Sequence, residues 1–276
     1  MSRVACVQIR AGADVAANLA RTEALIREAY ARGAQLITLP EVVDFRDEGV
    51  EPYRRYARPL AQHTAAQRLA SLAAELRVFL LAGSLTIRAE NGMLANRSLL
   101  FDPHGTIIAQ YDKIHLFDTG VIGTDASKES DIFVPGSRAV LAPTAAGRLG
   151  FSICYDLRFP HLYRDLAKAG AQLLAVPSNF LETTGRAHWH VLLRTRAIEN
   201  GCYVLAPAQC GESRPGKRSF GHSLIVDPWG EVLADAGPDE ERIITADVDE
   251  GRIAEVRDRI RSLQHDRPFV SAARDA

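Results

Sequence analysis

Two short stretches, Val78–Leu81 and Leu173–Val176, are apolar at every position. Successive side chains of a strand point to opposite faces, so a strand wetted on one side alternates apolar with polar residues. An unbroken apolar run beside helical segments instead predicts a strand covered on both faces, as in the sheets of α/β proteins. The opening of the chain fits the same architecture. Val4–Ile9 and Leu36–Leu39 read as strands, and between them Val15 to Ala31 reads as a helix, with Leu19, Thr22, Leu25, Ile26 and Ala29 on one face. Asp14 can cap its start and Gly33 can end it. Strand, helix and strand in so short a span predict a βαβ unit with parallel pairing.

The pattern continues along the chain. A helix over Ala65–Leu76 precedes a strand over Val78–Leu85. A β-rich middle follows, Arg97–Phe101 and Thr106–Tyr111, joined by a turn at Asp102–Gly105. After a loop near Gly120–Gly136, strand and helix alternate again: Leu149–Cys154, His161–Ala169, Gln172–Val176, Ala187–Asn200 and Cys202–Pro207. Strands at Ser223–Val226 and Ile243–Val248 and a charged helix from Glu250 to about Ile260 close the list. The expected fold class is α/β, with sheets at the centre and helices outside. No linker-like stretch, repeat or low-complexity segment divides the sequence, so residues 1–276 are expected to form a single domain.

Bulk chemistry narrows the function. With 47% hydrophobic residues the chain can bury a large core, and 33 basic against 34 acidic residues give a formal charge of -1. That balance gives no electrostatic reason to expect a nucleic-acid partner. No apolar run approaches the ~18 residues of a membrane span. The N-terminal MSRVACVQIRAG reads as strand then turn and lacks the apolar core of a secretory signal. Cys6, Cys154, Cys202 and Cys210 form no CxxC pair and read as reduced thiols, so a cytoplasmic location is expected.

Three residues stand at strand ends, where open α/β sheets place their chemistry. Glu41 closes LITLPE and can act as a general base; equally, it can be a solvated loop acid or a helix cap. Lys113 follows a strand in IIAQYDKIHLF, where an ammonium beside apolar residues can hold an oxyanion, although a lysine at a strand end is commonly a surface residue. Cys154 ends LGFSIC at the junction with a helix, where a thiol can face a cleft and turn N–H groups can bind an oxyanion; a buried strand cysteine is the ordinary alternative. No single one of these positions decides the matter.

Together they do. LPE at Leu39–Glu41, YDKIHLFD at Tyr111–Asp118 and CYDLRFP at Cys154–Pro160 resemble, in order and spacing, the three signature regions of the nitrilase superfamily of carbon–nitrogen hydrolases. The resemblance runs from the VQIR opening to DPWGEVLADAG at Asp227–Gly237. It implies a four-layer αββα sandwich. Cys154 would be the nucleophile, Glu41 the general base and Lys113 the oxyanion stabiliser. Glu129, in SKES, would orient Lys113 or the incoming water. Tyr155, Arg158, Asn179, Phe180 and Arg186 are the candidate substrate-binding residues. The implied chemistry needs no metal and no organic cofactor, and the implied partners are a small-molecule amide and a second copy of the chain, as a homodimer or higher homo-oligomer.

Four further stretches resemble the amidases of deaminated glutathione and the neighbouring ω-amidases of 2-oxoglutaramate: TTGRAHW at Thr183–Trp189, RAIEN at Arg196–Asn200, AQCG at Ala208–Gly211 and FGHS at Phe220–Ser223. The AQCG stretch favours the first, and thus release of 2-oxoglutarate and cysteinylglycine. Arg186 and His190 depart from that pattern, standing where proline and glutamate are usual. His188 and His190, two apart on a helix, point to different faces and make a poor metal pair. Arg158 can contact a substrate carboxylate or pair with Asp156. A cysteine–histidine peptidase is the first rival reading, with His115, His161 or His222 as the imidazole beside Cys154. A non-catalytic binding or assembly protein is the second, and an amidase of another acyl amide, such as a carbamoyl compound, is the nearest alternative.

Overall fold

The computed structural model describes residues 1–47, 49–118, 128–214 and 216–270. In chain order the elements are β1 (Ser2–Gln8), α1 (Val15–Ala31), β2 (Leu36–Thr38), α2 (Val50–Tyr56), α3 (Thr64–Leu76), β3 (Phe79–Arg88), β4 (Leu94–Phe101) and β5 (Ile107–Asp112). Then come β6 (Leu141–Thr144), β7 (Gly147–Phe151), α4 (Pro160–Lys168), β8 (Leu173–Ala175), α5 (Glu182–Asn200) and β9 (Tyr203–Ala206). The last are β10 (Cys210–Arg214), β11 (Lys217–Phe220), β12 (Leu224–Val226), β13 (Val232–Asp235), β14 (Arg242–Val248) and α6 (Glu250–Arg259).

Two six-stranded sheets form, in the orders β14-β1-β2-β3-β4-β5 and β13-β12-β9-β8-β7-β6, and β10 and β11 make a separate hairpin. Each sheet has a parallel centre, β1-β2-β3 in one and β7-β8-β9 in the other, as the strand–helix–strand order predicts. Strand periodicity explains the layers. In β1, Val4 and Cys6 join the core between the sheets, while Ala5 and Val7 pack with Ile26 of α1 and Leu69 and Leu72 of α3. Trp189, Leu193 and Ala197 of α5 and Leu162, Tyr163 and Leu166 of α4 cover the second sheet. Helix, sheet, sheet, helix is the αββα sandwich expected of the sequence.

Local chemistry sets the helix ends. The Asp14 side chain accepts the Ala17 N–H at 3.0 Å and starts α1. Sequence reading begins α5 at Ala187, but the helix starts five residues earlier, at Glu182. Gly185 sits inside its first turns because a Cβ there would lie 2.2 Å from the Phe220 ring, so the close approach of α5 to β11 requires glycine. The strand read as Leu149–Cys154 ends at Phe151, and Cys154 opens a 3-10 turn with φ of 47°, a backbone angle that no strand accommodates. Helix α2, strands β6 and β13 and the β10–β11 hairpin are not apparent from the sequence pattern. The expected loop near Gly120–Gly136 lies partly over residues 119–127, outside the described residues. Among the described residues no helix is long and apolar enough to cross a membrane.

Candidate active site

The C-terminal ends of β2 and β7 face each other across the sandwich, and the connections leaving them carry Glu41 and Cys154. Gly83 of β3 lets the two sheets close at this point: a Cβ on it would meet the Leu39 carbonyl oxygen at 1.8 Å and Pro177 of the other sheet's β8 connection at 2.6 Å. Lys113 follows β5 directly and is held at both ends of its backbone unit, its N–H donating to the Asn96 carbonyl and its carbonyl accepting from Gly136.

The side chains form a buried charge chain. Lys113 is 2% exposed, and its Nζ donates to Glu41 Oε1 at 2.9 Å and to Glu129 Oε2 at 2.7 Å. Every other oxygen of the two carboxylates is occupied as well. Glu41 Oε2 accepts the Asn179 backbone N–H at 2.8 Å, Glu129 Oε2 also accepts that of Phe117 at 2.7 Å, and Glu129 Oε1 accepts Asn96 Nδ2 at 2.9 Å. Asn96 Nδ2 donates to Glu41 Oε1 too, at 3.0 Å, and so bridges the two acids. Burial by itself lowers the Lys113 pKa; Glu129 and Glu41 outweigh it and hold the ammonium well above its ordinary range. A buried cation with two carboxylates satisfies its charge without solvent and keeps its position.

Cys154 stands at the left-handed backbone angle, its N–H donating to the Pro177 carbonyl at 2.9 Å. Burial raises its thiol pKa well above 9.0 and the Glu41 charge raises it further; Lys113 and the Asn179 amide oppose them without reversing the shift. The resting group is therefore a thiol. Asp156 stiffens the turn below it. One of its oxygens accepts the Ile153 N–H at 2.8 Å and the Tyr111 hydroxyl at 2.6 Å, and the other accepts the His115 N–H at 3.0 Å and meets His115 Nδ1 at 2.7 Å. Tyr111 belongs to β5 of the first sheet and Asp156 to the 3-10 turn that follows β7 of the second, so this carboxylate ties the two halves of the site together.

Glu41, Lys113, Glu129 and Cys154 line one cavity of about 500 Å³. Tyr155, Arg158, Asn179 and Phe180 are on its wall, with Arg46 and Arg218 adding cationic surface. Arg158 does not pair with Asp156, whose oxygens are already taken. Its guanidinium lies 5.8 Å from the Tyr155 ring centroid and 5.4 Å from that of Phe180, and both terminal nitrogens reach His188 Nδ1 at 3.3 Å. Arg186 is placed elsewhere than expected: it is absent from the cavity wall, 72% exposed, and paired with Glu182 one helical turn away at 2.6 Å. The peptidase alternative loses its imidazole, because His115 is committed to Asp156, His222 to Asp235, and none of His115, His161 and His222 lines the cavity. Asn96 was missed in the sequence. The signal available was a polar side chain in LANRSLLF, a segment otherwise buried on both faces.

Comparison with known proteins agrees with this geometry. Residues 3–258 match the family model described as carbon-nitrogen hydrolase. The chain belongs to the carbon–nitrogen hydrolase family. It is 40% identical to the deaminated glutathione amidase of Synechocystis over 96% of its own length and 98% of the relative's. It is 38% identical to human omega-amidase NIT2, covering 94% and 92%. Among solved structures, the C. elegans NitFhit protein superposes with a TM-score of 0.90 at 34% identity; 96% of the present chain is covered, and it spans only 65% of that longer protein. The protein is accordingly a hydrolase of carbon–nitrogen bonds.

Proposed function

We propose that this hydrolase uses Cys154 to cleave the amide of a small 2-oxo acid, with deaminated glutathione as its substrate and 2-oxoglutarate and cysteinylglycine as products. The observation that carries the mechanism is the buried Glu41–Lys113–Glu129 chain lining the same cavity as Cys154. An amide is a weak electrophile, so the nucleophile has to be generated as it attacks. Glu41 takes the Sγ proton while sulfur adds to the carbonyl carbon, and the oxyanion forms against Lys113 Nζ and the Tyr155 N–H. Collapse expels the amine, which takes the proton back from Glu41 and leaves a thioester on Cys154. Glu41 then deprotonates a water that attacks the thioester, releasing the acid and restoring the thiol. Glu129 keeps Lys113 charged and aimed throughout.

Substrate class rests on the cavity's cations and on the relatives. Arg158, with its flat guanidinium between Tyr155 and Phe180, is the proposed seat for the 2-oxo-acid carboxylate, and Asn179 and Phe180 border the scissile group. The relative named omega-amidase supports 2-oxoglutaramate as the alternative substrate. Offering both amides to the purified wild type and Cys154→Ala, with 2-oxoglutarate release as readout, decides the matter. Turnover of deaminated glutathione, lost on substitution, is expected. Preference for 2-oxoglutaramate would keep the mechanism and move the substrate; cleavage of neither would overturn the assignment.

We infer also that two copies pair through the outer face of α5. Val191 and Ile198, seven residues apart on that helix, are 64% and 47% exposed, and Trp229 in the turn after β12 is 48% exposed. Gly230 abuts Ile198, and its carbonyl accepts Arg194 Nε at 2.7 Å, which holds the turn carrying Trp229 against α5; exposed apolar residues grouped in this way mark interaction surfaces. A cytoplasmic location is proposed on the strength of the four unpaired cysteines.

A further inference from the structure

Away from the Cys154 cavity, three potential ligands converge from three separate elements: His190 on α5, His222 in the connection between β11 and β12, and Asp235 at the end of β13. We propose that they form a site for one divalent transition-metal ion of the zinc class. His190 Nε2 lies 3.6 Å from Asp235 Oδ2, and His222 Nδ1 lies 3.0 Å from both carboxylate oxygens. All three candidate ligand atoms fall within 4.8 Å of one another. Bonds of ~2.0–2.2 Å in a tetrahedral zinc site hold the ligand atoms roughly 3.3–3.6 Å apart, within about 0.3 Å of both distances to Asp235.

The surroundings are built in the manner of a ligand site rather than a chance surface cluster. His222 occupies a left-handed backbone position, φ 52°, which an ordinary side chain adopts only when the fold insists. Its N–H donates to the Gly237 carbonyl at 2.8 Å, and its own carbonyl accepts Trp189 Nε1, also at 2.8 Å, from the residue preceding His190. Its ring stacks on Phe220 at 4.5 Å between centroids. Asp235 is oriented by the Gly237 N–H, which donates to Oδ1 at 2.8 Å. The bond to Asp235 is of the kind that fixes ligand direction in metal sites. Two imidazoles and a carboxylate suit Zn²⁺, Co²⁺ or Ni²⁺ and offer little to Mg²⁺ or Ca²⁺, which take oxygen ligands.

The ion's role is structural. Three protein atoms would hold it, with solvent at the remaining position, and none of the three residues lines the catalytic cavity. Bound there, it ties α5 to the last strands of the second sheet. Phe220, stacked on His222, is the residue packed into the Gly185 notch, and α5 carries Glu182, Thr183 and Thr184 on the cavity wall. The tie therefore braces the helix whose first turn borders the active site.

Metal-stripped wild type, His190→Ala, Asp235→Asn and Cys154→Ala are to be titrated with ZnCl2 and, separately, CoCl2, following bound metal per chain by equilibrium dialysis, the visible Co²⁺ spectrum and the thermal midpoint. The wild type should bind one ion, give the intense bands of a four-coordinate Co²⁺ centre and unfold several degrees higher at saturating metal. His190→Ala and Asp235→Asn should each weaken binding by about tenfold or more and abolish the thermal shift, with metal-free midpoints near that of the wild type. Cys154→Ala should bind as the wild type does. Absence of stoichiometric binding overturns the proposal. So does binding that survives both ligand substitutions, or binding lost with Cys154, which would locate the metal on the nucleophile instead.

Discussion

At the level of single residues, the site depends on which groups hold a proton at rest. Lys113 is kept charged by two carboxylates and Cys154 is kept neutral by burial and by Glu41, so neither state needs to be imposed by the substrate. Replacing Lys113 with Ala should lower kcat by about 10²–10³ or more, the range for loss of an oxyanion donor, while substrate binding changes far less. Steady-state kinetics on the variant tests this, and near-normal turnover would revive a histidine-assisted mechanism. The same protonation states bear on stability. Burial also pushes Cys6 up to about 12 and Cys202 up to about 11. Above pH ~9 the unfolded chain loses thiol protons that the folded chain retains, so it binds fewer protons and stability falls as pH rises. Each such thiol is expected to cost about 1.4 kcal/mol per pH unit in that range. Thermal unfolding should be flat from pH 7 to 8.5 and decline from about pH 9; a midpoint that rose there would contradict the assignment.

Elements matter through the places where they touch. Gly83 is where β3 meets the exits of β2 and β8, and an added methyl has backbone oxygen on one side and Pro177 on the other. Gly83→Ala should destabilise the fold by about 1–3 kcal/mol through overpacking. It should also reduce kcat, because the displaced Leu39 and Pro40 lead directly into Glu41. Urea unfolding alongside kinetics separates the two effects, and a variant with wild-type values in both would show that the sheets have slack here. Tyr111→Phe removes a hydrogen bond to the buried Asp156 carboxylate and should cost about 1.5–3 kcal/mol. Denaturant melts measure that cost, and a neutral result would mean that Asp156 finds another donor.

The whole molecule is two similar half-sandwiches joined face to face, with α5 on the outside presenting an apolar strip. If that strip pairs two copies, sedimentation should give twice the 30.2 kDa chain mass, and Val191→Asp with Ile198→Asp should return it to one. A wild type that sediments as a single chain at micromolar concentration would rule the pairing out.

How much of this was legible beforehand follows from range. Patterns with a period of 2 or 3.6 are local, so β1, α1, α3, β3, β8 and α6 could be read from a few neighbouring residues. The three motif segments were legible for the same reason: each is a short run whose residue types suit the end of a strand. Elements stabilised by distant partners were not. The β10–β11 hairpin and the early start of α5 depend on Phe220 filling the space at Gly185, 35 positions away in the chain. Asn96 lay just outside the strand expected over Arg97–Phe101, and only the closed sheets bring Glu41 and Glu129 against its amide; the Asp156–Arg158 pairing open in the sequence was displaced by Tyr111 and His115. By itself the sequence determined the fold class and the family and singled out the groups proposed to react, because these are encoded in local pattern and residue type. Tertiary structure alone decided their charge states, the bridging amide, the direction of Arg158 and Arg186 and the meeting of His190 with His222 and Asp235, because burial and contacts between distant segments exist only once the sheets have closed.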